Sequence, residues 1–247
     1  MQAGRIPAEG SPRRFGLAVE AAGPTETPLT NRRLGIVAGA ERPACRDARL
    51  EGVVWQPDTM FLDGLDFFTG VVKQLRPSDW ERPSPCSRWR ALDVLGHVGS
   101  AVRFGTQLLR DERPAWNPAD PPGDGVEGEP ASWWEVLADP ARAAVRGVDL
   151  DRVVESPAGP RPIGEGLSFP ALDLFVHAWD LARSTGVDVE IPLGAIEFAH
   201  AVIDPIPPEQ VRNPRVFADE VAAPAGATAT ESFVAWTGRD PRWAAPR

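Results

Sequence analysis

The segment Ser168–Gly186 constrains the fold of this chain more than any other, because it combines helical spacing with ionisable side chains on an apolar background. Asp173 and His177 are four residues apart, so on a helix they project from the same face. Asp180 and Ser184 continue that face. The flanking residues are apolar: Phe169, Leu172, Leu174, Phe175, Val176, Trp179 and Leu181. We therefore predict a largely buried helix with one polar stripe, and buried carboxylates and imidazoles require partners or a metal ion.

Five further segments have the apolar spacing or the end signals of helices. They cover Thr59–Leu75, Arg90–Arg110, Ala131–Val148, Pro192–Ile203 and Ala229–Thr237. Asp139-Pro140 falls inside the third segment and predicts a kink or a break there, because proline removes a helical hydrogen bond. The second segment contains Gly96, Gly99 and Gly105, which lower helix propensity and are expected to allow close approach of a neighbour. The pattern predicts an all-α fold.

Short signals mark the ends of these elements. Ser168 is a favourable N-cap and Pro170 suits the first turn of a helix, while Gly186 suits a C-terminal end. Ser132 is the expected N-cap of the third helix. Between these two helices, residues 152–165 predict a small hairpin.

The composition excludes several classes of function. The net charge of −9 disfavours a surface for nucleic acid or for an anionic membrane. No apolar run approaches the ~20 residues that span a bilayer. The two cysteines, Cys45 and Cys86, make no disulfide framework, so we expect a cytoplasmic protein. We expect a small-molecule substrate and a monomer or homodimer, with neither nucleic acid nor membrane as partner.

Residues 1–52 are rich in Pro, Gly, Arg, Glu and Ala and show no sustained periodicity. Such a segment buries too little apolar surface to fold, so we predict a disordered extension. The alternative is a mis-annotated start, with the true start near Val53 or Met60. The folded domain is therefore expected over residues 58–247.

Three histidines are present: His97, His177 and His200. We interpret His97, Asp173 and His177 as ligands of a divalent metal, because two imidazoles and a carboxylate are a common catalytic set. Zn²⁺ suits the set best, and Ni²⁺ or Fe²⁺ are alternatives. Asp180 would accept the second N–H of a ligating histidine. The competing interpretation is an ion pair and a packed core histidine without metal.

Three motifs resemble those of one family. Residues 83–98 read PSPCSRWRALDVLGHV, residues 172–186 read LDLFVHAWDLARSTG, and residues 235–243 read AWTGRDPRW. Their spaced combination resembles the mycothiol-dependent maleylpyruvate isomerase N-terminal-domain family of the DinB/YfiT-like superfamily. The resemblance covers about residues 58–247.

The resemblance implies a DinB-like four-helix bundle with a short C-terminal extension, and an actinobacterial source. It also implies a metal triad at His97, Asp173 and His177, and a low-molecular-weight thiol, mycothiol, as cosubstrate. The isomerases of the family carry Glu at the position of Asp173 and have a longer second domain.

Three other features remain open to two interpretations. Cys86 is either a small buried side chain or a nucleophile or fourth ligand. Arg239, in the GRDP motif, is predicted as a catalytic residue that binds a substrate carboxylate, the alternative being a surface ion pair with Asp240 or a neighbouring acid. Glu197 and His200 form a second acid–histidine pair of the kind found in di-metal bundles, although the first two helices offer few inward carboxylates.

Three functions fit these residues. The first is a metal-dependent isomerase or thiol S-transferase that activates a low-molecular-weight thiol against a small electrophile. The second is a non-catalytic helical bundle that binds a metal or a small ligand, since a fold does not determine a function. The third is a helical interaction protein without metal, in which the polar stripe is an internal hydrogen-bond network.

Overall fold

The structure is a computed structural model that describes residues 56–156, 159–213 and 216–246. These residues contain seven helices and one two-stranded hairpin. In chain order the elements are α1 (Pro57–Val72), α2 (Ala91–Leu109), α3 (Pro130–Ala144), β1 (Val153–Val154), β2 (Arg161–Pro162), α4 (Ile163–Thr185), α5 (Leu193–Ile203), α6 (Pro208–Val211) and α7 (Ala229–Trp236). The predicted all-α class with a small hairpin is confirmed.

Helices α1 to α4 form the expected DinB-like four-helix bundle. Helix α4 packs along α1 and α2, and α3 packs against α2 and α1. All four helices contribute large, fully buried side chains: Phe61, Leu65, Phe68, Leu95, Trp134, Leu167, Leu172 and Phe175. Burying one such side chain contributes about 1.5–3 kcal/mol. The C-terminal extension is held by α5, which contacts α4, and by α7, which contacts α5.

Glycines allow the helices to approach each other closely. A Cβ at Gly64 of α1 would lie 2.8 Å from the Cβ of Leu174 on α4. Gly99 of α2 faces the ring of Trp133 on α3 in the same way. The low helix propensity of these positions is therefore offset by close packing, which is the role that the sequence predicts for the glycines of α2.

The predicted start of the central helix at Ser168 is wrong. Helix α4 begins at Ile163, directly after the hairpin, and backbone carbonyls from before the hairpin accept hydrogen bonds from its first N–H groups. Ile163 N–H donates to the Arg152 carbonyl at 3.0 Å, and Gly164 N–H donates to the Leu150 carbonyl at 2.9 Å. Ser168 lies inside the helix, where its Oγ donates to the Gly164 carbonyl at 2.9 Å. Backbone acceptors from an earlier segment replace the side-chain cap here.

Of the two other end signals predicted for α4, the one at Pro170 is wrong and the one at Gly186 is confirmed. Pro170 lies inside the helix and not in its first turn, because the helix starts earlier than expected. Gly186 follows the last helical residue with φ of 77°, the left-handed conformation that favours glycine, so the predicted end of the helix is confirmed.

Helix α3 also differs from its prediction. The carboxylate of Glu129 accepts hydrogen bonds from the backbone N–H groups of Ala131 and Ser132 at 3.1 and 2.7 Å. Glu129 is therefore the N-cap, and the expectation for Ser132 is wrong. Pro140 lies inside one continuous helix, so of the predicted kink or break the break does not occur.

No helix among the described residues is long and apolar enough to cross a membrane. The predicted N-terminal extension, residues 1–52, lies outside the described residues, as do residues 157–158 between the two hairpin strands.

Candidate metal centre

Two helices of the bundle bring the three predicted ligands together. His97 projects from α2, and Asp173 and His177 project from the same face of α4, one turn apart. The Nε2 of His97 lies 3.5 Å from the Oδ2 of Asp173. The imidazole centroids of His97 and His177 are 4.7 Å apart. One ligand atom from each residue lies within 4.8 Å of the other two, and we call these three side chains the candidate metal centre.

The electrostatics of this centre suit metal ligands. Burial raises the pKa of Asp173, but the contact with His97 and the neighbouring positive charges outweigh burial and hold that pKa below its usual value. Burial also lowers the pKa of His177, despite the opposing hydrogen bond to Asp180. At neutral pH the carboxylate is therefore ionised and the His177 imidazole is neutral, which are the states that a metal requires.

A carboxylate behind His177 fixes the orientation of its ring. The Nδ1 of His177 lies 2.8 Å from the Oδ2 of Asp180, which is fully buried. Because His177 is neutral, Nδ1 carries the ring's one N–H and donates a hydrogen bond to this carboxylate. Nε2 is then the nitrogen that remains for a metal. This is the position predicted for Asp180, and the arrangement is common behind ligating histidines.

Arg239 engages the same carboxylate from the C-terminal extension. Its Nε lies 2.9 Å from Oδ1 of Asp180, and its Nη2 lies 2.8 Å from Oδ2. The guanidinium therefore binds a protein carboxylate in the bidentate geometry predicted for a substrate carboxylate, and its ion-pair partner is Asp180 and not Asp240. Burial raises the pKa of Asp180, but Arg239 and His177 outweigh burial and hold that pKa well below its usual value.

The half-buried thiol of Cys86 completes this network. Its Sγ lies 3.1 Å from the Oδ2 of Asp180, 3.9 Å from the Nδ1 of His177 and 3.8 Å from the Nη2 of Arg239. Burial, followed by the charge of Asp180, raises the pKa of the Cys86 thiol well above its usual value. The group is thus a protonated donor to Asp180, since a reactive cysteine requires a lowered pKa.

Cys86, His177 and Asp180 are close enough together to hold a metal ion of their own. The guanidinium of Arg239 already neutralises Asp180 at hydrogen-bond distance and would repel a second cation at the same place. The Cys86 thiol would also have to lose a proton that its surroundings retain. These three residues therefore form a hydrogen-bond network, and His97, Asp173 and His177 are the set that fits a divalent metal.

Aromatic rings surround the candidate metal centre on the α2 side. The ring of Trp89 lies 5.0 Å from that of His97 and 6.2 Å from that of His177. Trp116, from the loop after α2, meets His97 edge-on at 5.5 Å and is 44% exposed. Phe104 lies 6.5 Å from Trp116. Phe104 follows His97 by seven residues, so helical spacing alone predicts that the two share a face, whereas no sequence signal places Trp116 there.

The second acid–histidine pair does not form a comparable centre. The ring of His200 packs at a tilt against that of Trp236, with centroids 4.3 Å apart, and its Nδ1 lies 3.4 Å from the Oδ1 of Asp204. Among residues 56–156, 159–213 and 216–246, the groups spaced for a metal include neither His200 nor Glu197. This histidine of α5 packs against the aromatic rings of α7.

Comparisons with known proteins agree with the motifs. The family model described as the mycothiol maleylpyruvate isomerase N-terminal domain matches residues 61–182. Two proteins of Mycobacterium tuberculosis are each 31% identical over 195 residues, which is 72% of this chain and 94% of theirs: uncharacterized protein MT0763 (strain CDC 1551 / Oshkosh) and uncharacterized protein Rv0738 (strain ATCC 25618 / H37Rv).

A solved structure is similar in fold. The crystal structure of a mutant of mycothiol-dependent maleylpyruvate isomerase superposes with a TM-score of 0.50 at 15% sequence identity, covering 59% of this chain and 67% of that chain. At this identity the likeness supports the helical fold alone.

Proposed function

The chain belongs to the mycothiol maleylpyruvate isomerase N-terminal domain family, and from this premise we propose that it is a metal-dependent enzyme acting with a low-molecular-weight thiol. The thiol, of which mycothiol is our candidate, would be transferred to a small electrophile or would catalyse its isomerisation. The observation that carries the proposal is the convergence of His97, Asp173 and His177 from two helices.

The residues of the candidate metal centre have separate tasks in this proposal. His97 and His177 would each supply one imidazole nitrogen, and Asp173 would supply the carboxylate. A divalent metal, with Zn²⁺ as our choice before Ni²⁺ or Fe²⁺, would lower the pKa of a thiol and so supply a thiolate nucleophile at neutral pH. Asp180 orients His177 from behind through its hydrogen bond at 2.8 Å.

The surroundings of the centre favour a flat electrophile. Trp89 and Trp116 lie against the His97 ring, and Trp116 is exposed enough to contact a ligand. Aromatic faces bind planar unsaturated groups and exclude water. In the proposed reaction the thiol gives up its proton, and the thiolate adds to one carbon of an electrophilic C=C bond. The C–S bond forms as the π bond breaks, and the electron pair moves onto the conjugated carbonyl as an enolate. In a transferase the proton returns to the adduct carbon, whereas in an isomerase the former double bond rotates, the C–S bond breaks as the double bond re-forms, and the released thiolate takes the proton back.

Metal analysis of untagged protein tests the first part of the proposal. We expect about one equivalent of a divalent metal per chain in the parent, and loss of that equivalent in His97→Ala and in His177→Ala with helicity retained. His200→Ala is the matched control, because this histidine lies against Trp236 and belongs to no group spaced for a metal. Full occupancy in either of the first two variants would exclude our ligand assignment.

A turnover screen tests the second part. Small electrophiles, including cis-unsaturated diacids, are incubated with mycothiol or another low-molecular-weight thiol, with and without a chelator. We expect thiol-dependent consumption or isomerisation that the chelator abolishes and added Zn²⁺ restores. Tight metal binding without turnover of any electrophile would favour the alternative, a non-catalytic metal-binding bundle.

A further inference from the structure

Asp180 lies directly behind the candidate metal centre, and its fully buried carboxylate accepts hydrogen bonds from three side chains. Its Oδ2 accepts hydrogen bonds from His177, Cys86 and Arg239, while its Oδ1 accepts one from Arg239. A buried carboxylate is stable only with such compensation. The three donors come from three separate parts of the chain, so the position of this carboxylate depends on all of them.

The loop before α2 is built to hold the Cys86 thiol in place. Ser84 N–H donates to the Trp89 carbonyl at 2.9 Å, and Trp89 N–H donates to the Cys86 carbonyl at 3.0 Å. These bonds close a tight loop that ends at Trp89, the residue whose ring lies against that of His97. The thiol is thus held where its S–H meets Asp180.

The segment after α7 is built to deliver Arg239. Gly238 has φ of 84°, which favours glycine, and a Cβ there would lie 2.7 Å from that of Ala218. The backbone N–H of Arg239 then donates to the Val234 carbonyl at 3.0 Å. This turn aims the side chain back into the bundle, where it reaches Asp180 on α4.

We propose that Cys86 and Arg239 are positioning residues that act through Asp180. Their hydrogen bonds fix the carboxylate where it accepts the Nδ1–H of His177, and so direct the Nε2 of that imidazole to the candidate metal centre. The inference rests on the proposed function in one respect, since the metal centre is part of it. It gives a task to two residues that lie outside the candidate metal centre.

Charge and geometry make this task specific. A guanidinium bonded to both carboxylate oxygens fixes the plane of the group, which an ammonium cannot do. The thiol adds a donor on the same oxygen that faces His177. Without the guanidinium, the buried Asp180 carboxylate keeps only the hydrogen bonds from His177 and Cys86. The carboxylate then reorients, and the His177 proton is less firmly held on Nδ1.

The first experiment uses metal-free full-length protein and reads the His177 ring directly. Long-range ¹H–¹⁵N correlation spectra at fixed neutral pH distinguish the Nδ1–H form from the Nε2–H form. We expect the Nδ1–H form in the parent and in Cys86→Ser, which retains a donor. In Arg239→Met and in Cys86→Ala we expect a mixture of both forms.

The second experiment measures the Zn²⁺ dissociation constant by competition with a chromogenic chelator. We expect it to rise about 10- to 100-fold in Arg239→Met, the usual effect of losing support behind a metal ligand, and less in Cys86→Ala. Cys86→Ser should restore it. Arg183→Met is the matched control, because Arg183 binds the Trp243 carbonyl and Asp188 but not Asp180.

The outcomes separate this proposal from the proposed function. If the parent binds no Zn²⁺, the metal function fails, and the ring measurement still decides the positioning role by itself. If Arg239→Met does not fold, the Cys86→Ala and Cys86→Ser pair decides it. Unchanged His177 protonation and an unchanged dissociation constant in the folded variants would overturn the proposal.

Discussion

The Nε2 of His97 on α2 lies 3.5 Å from the Oδ2 of Asp173 on α4. This contact joins two segments that are distant in the sequence, and it places the imidazole of α2 over the acid–histidine pair of α4. A half-buried carboxylate beside two imidazoles offers three ligand atoms to one divalent cation. The contact is therefore the structural basis of the proposed metal function.

The length of the acid is the first property to test. Asp173→Glu should retain stoichiometric Zn²⁺, because the longer side chain reaches the same site and glutamate stands at this position in the isomerases that the chain resembles. Asp173→Ala should lose it, because two imidazoles remain as ligands. Chelator competition measures both, and parent-like affinity in the alanine variant would contradict the assignment.

Substrate recognition is expected to depend on Trp116. Replacing Trp116 with Ala should raise the KM for the electrophile about two- to tenfold, because aromatic contacts are worth roughly 0.5–1.5 kcal/mol. The bound Zn²⁺ should be unaffected, since the indole offers no ligand atom. Trp116→Phe should retain most of the affinity. Steady-state kinetics check this, and an unchanged KM in the alanine variant would remove Trp116 from the substrate site.

Much of the site was predictable from the sequence, for a local reason. The spacing of Asp173 and His177 places them on one helix face whatever the rest of the chain does, and the same rule relates His97 to Phe104. The family resemblance rests on motifs in both α2 and α4, and it predicted that His97 would meet the pair on α4. The prediction of the fold class and of the candidate ligands therefore rested on local patterns.

The contacts around Asp180 were not predictable in the same way. Arg239 follows the last helix, and its partner is set by a turn at Gly238 that no periodicity encodes. Cys86 lies in a loop, where spacing does not determine direction. The start of α4 was missed for a related reason, because carbonyls of Leu150 and Arg152 act as its cap.

Helix packing gives a matched pair of stability predictions on α1. Gly64→Ala should lower the free energy of unfolding by about 1–3 kcal/mol, because the new Cβ would lie 2.8 Å from Leu174 Cβ. Gly70→Ala should raise it by up to about 1 kcal/mol, because nothing lies within 4 Å and alanine favours the helix. Urea unfolding compares the two, and equal effects would contradict the close approach of α1 and α4.

Acid sensitivity is expected at the start of α2. Burial raises the pKa of Asp93, but hydrogen bonds from the Arg90 and Gly123 amides and from the Arg90 side chain outweigh burial and hold it below its usual value. The folded state therefore binds this proton less tightly than the unfolded state. The resulting stabilisation is present above the unfolded pKa, about 3.9, and is lost as pH falls through the folded pKa.

The variant Asp93→Asn isolates this contribution. At pH 7 we expect it to lower the free energy of unfolding by about 1–3 kcal/mol, since the Arg90 and Gly123 amides lose a charged acceptor. The difference from the parent should shrink as the pH falls below about 4, where the unfolded carboxyl takes up a proton, and should be smallest below the folded pKa, where the native carboxyl is protonated as well. Denaturant titrations across this pH range check the sign, and a difference that grows on acidification would contradict it.

The measurement that tests the central claim most directly is anomalous scattering from crystals of untagged protein grown with Zn²⁺. The account predicts one strong peak at the zinc edge, bonded to His97 Nε2, His177 Nε2 and a carboxylate oxygen of Asp173. A peak elsewhere, or full zinc occupancy in a His97→Ala crystal, would contradict it.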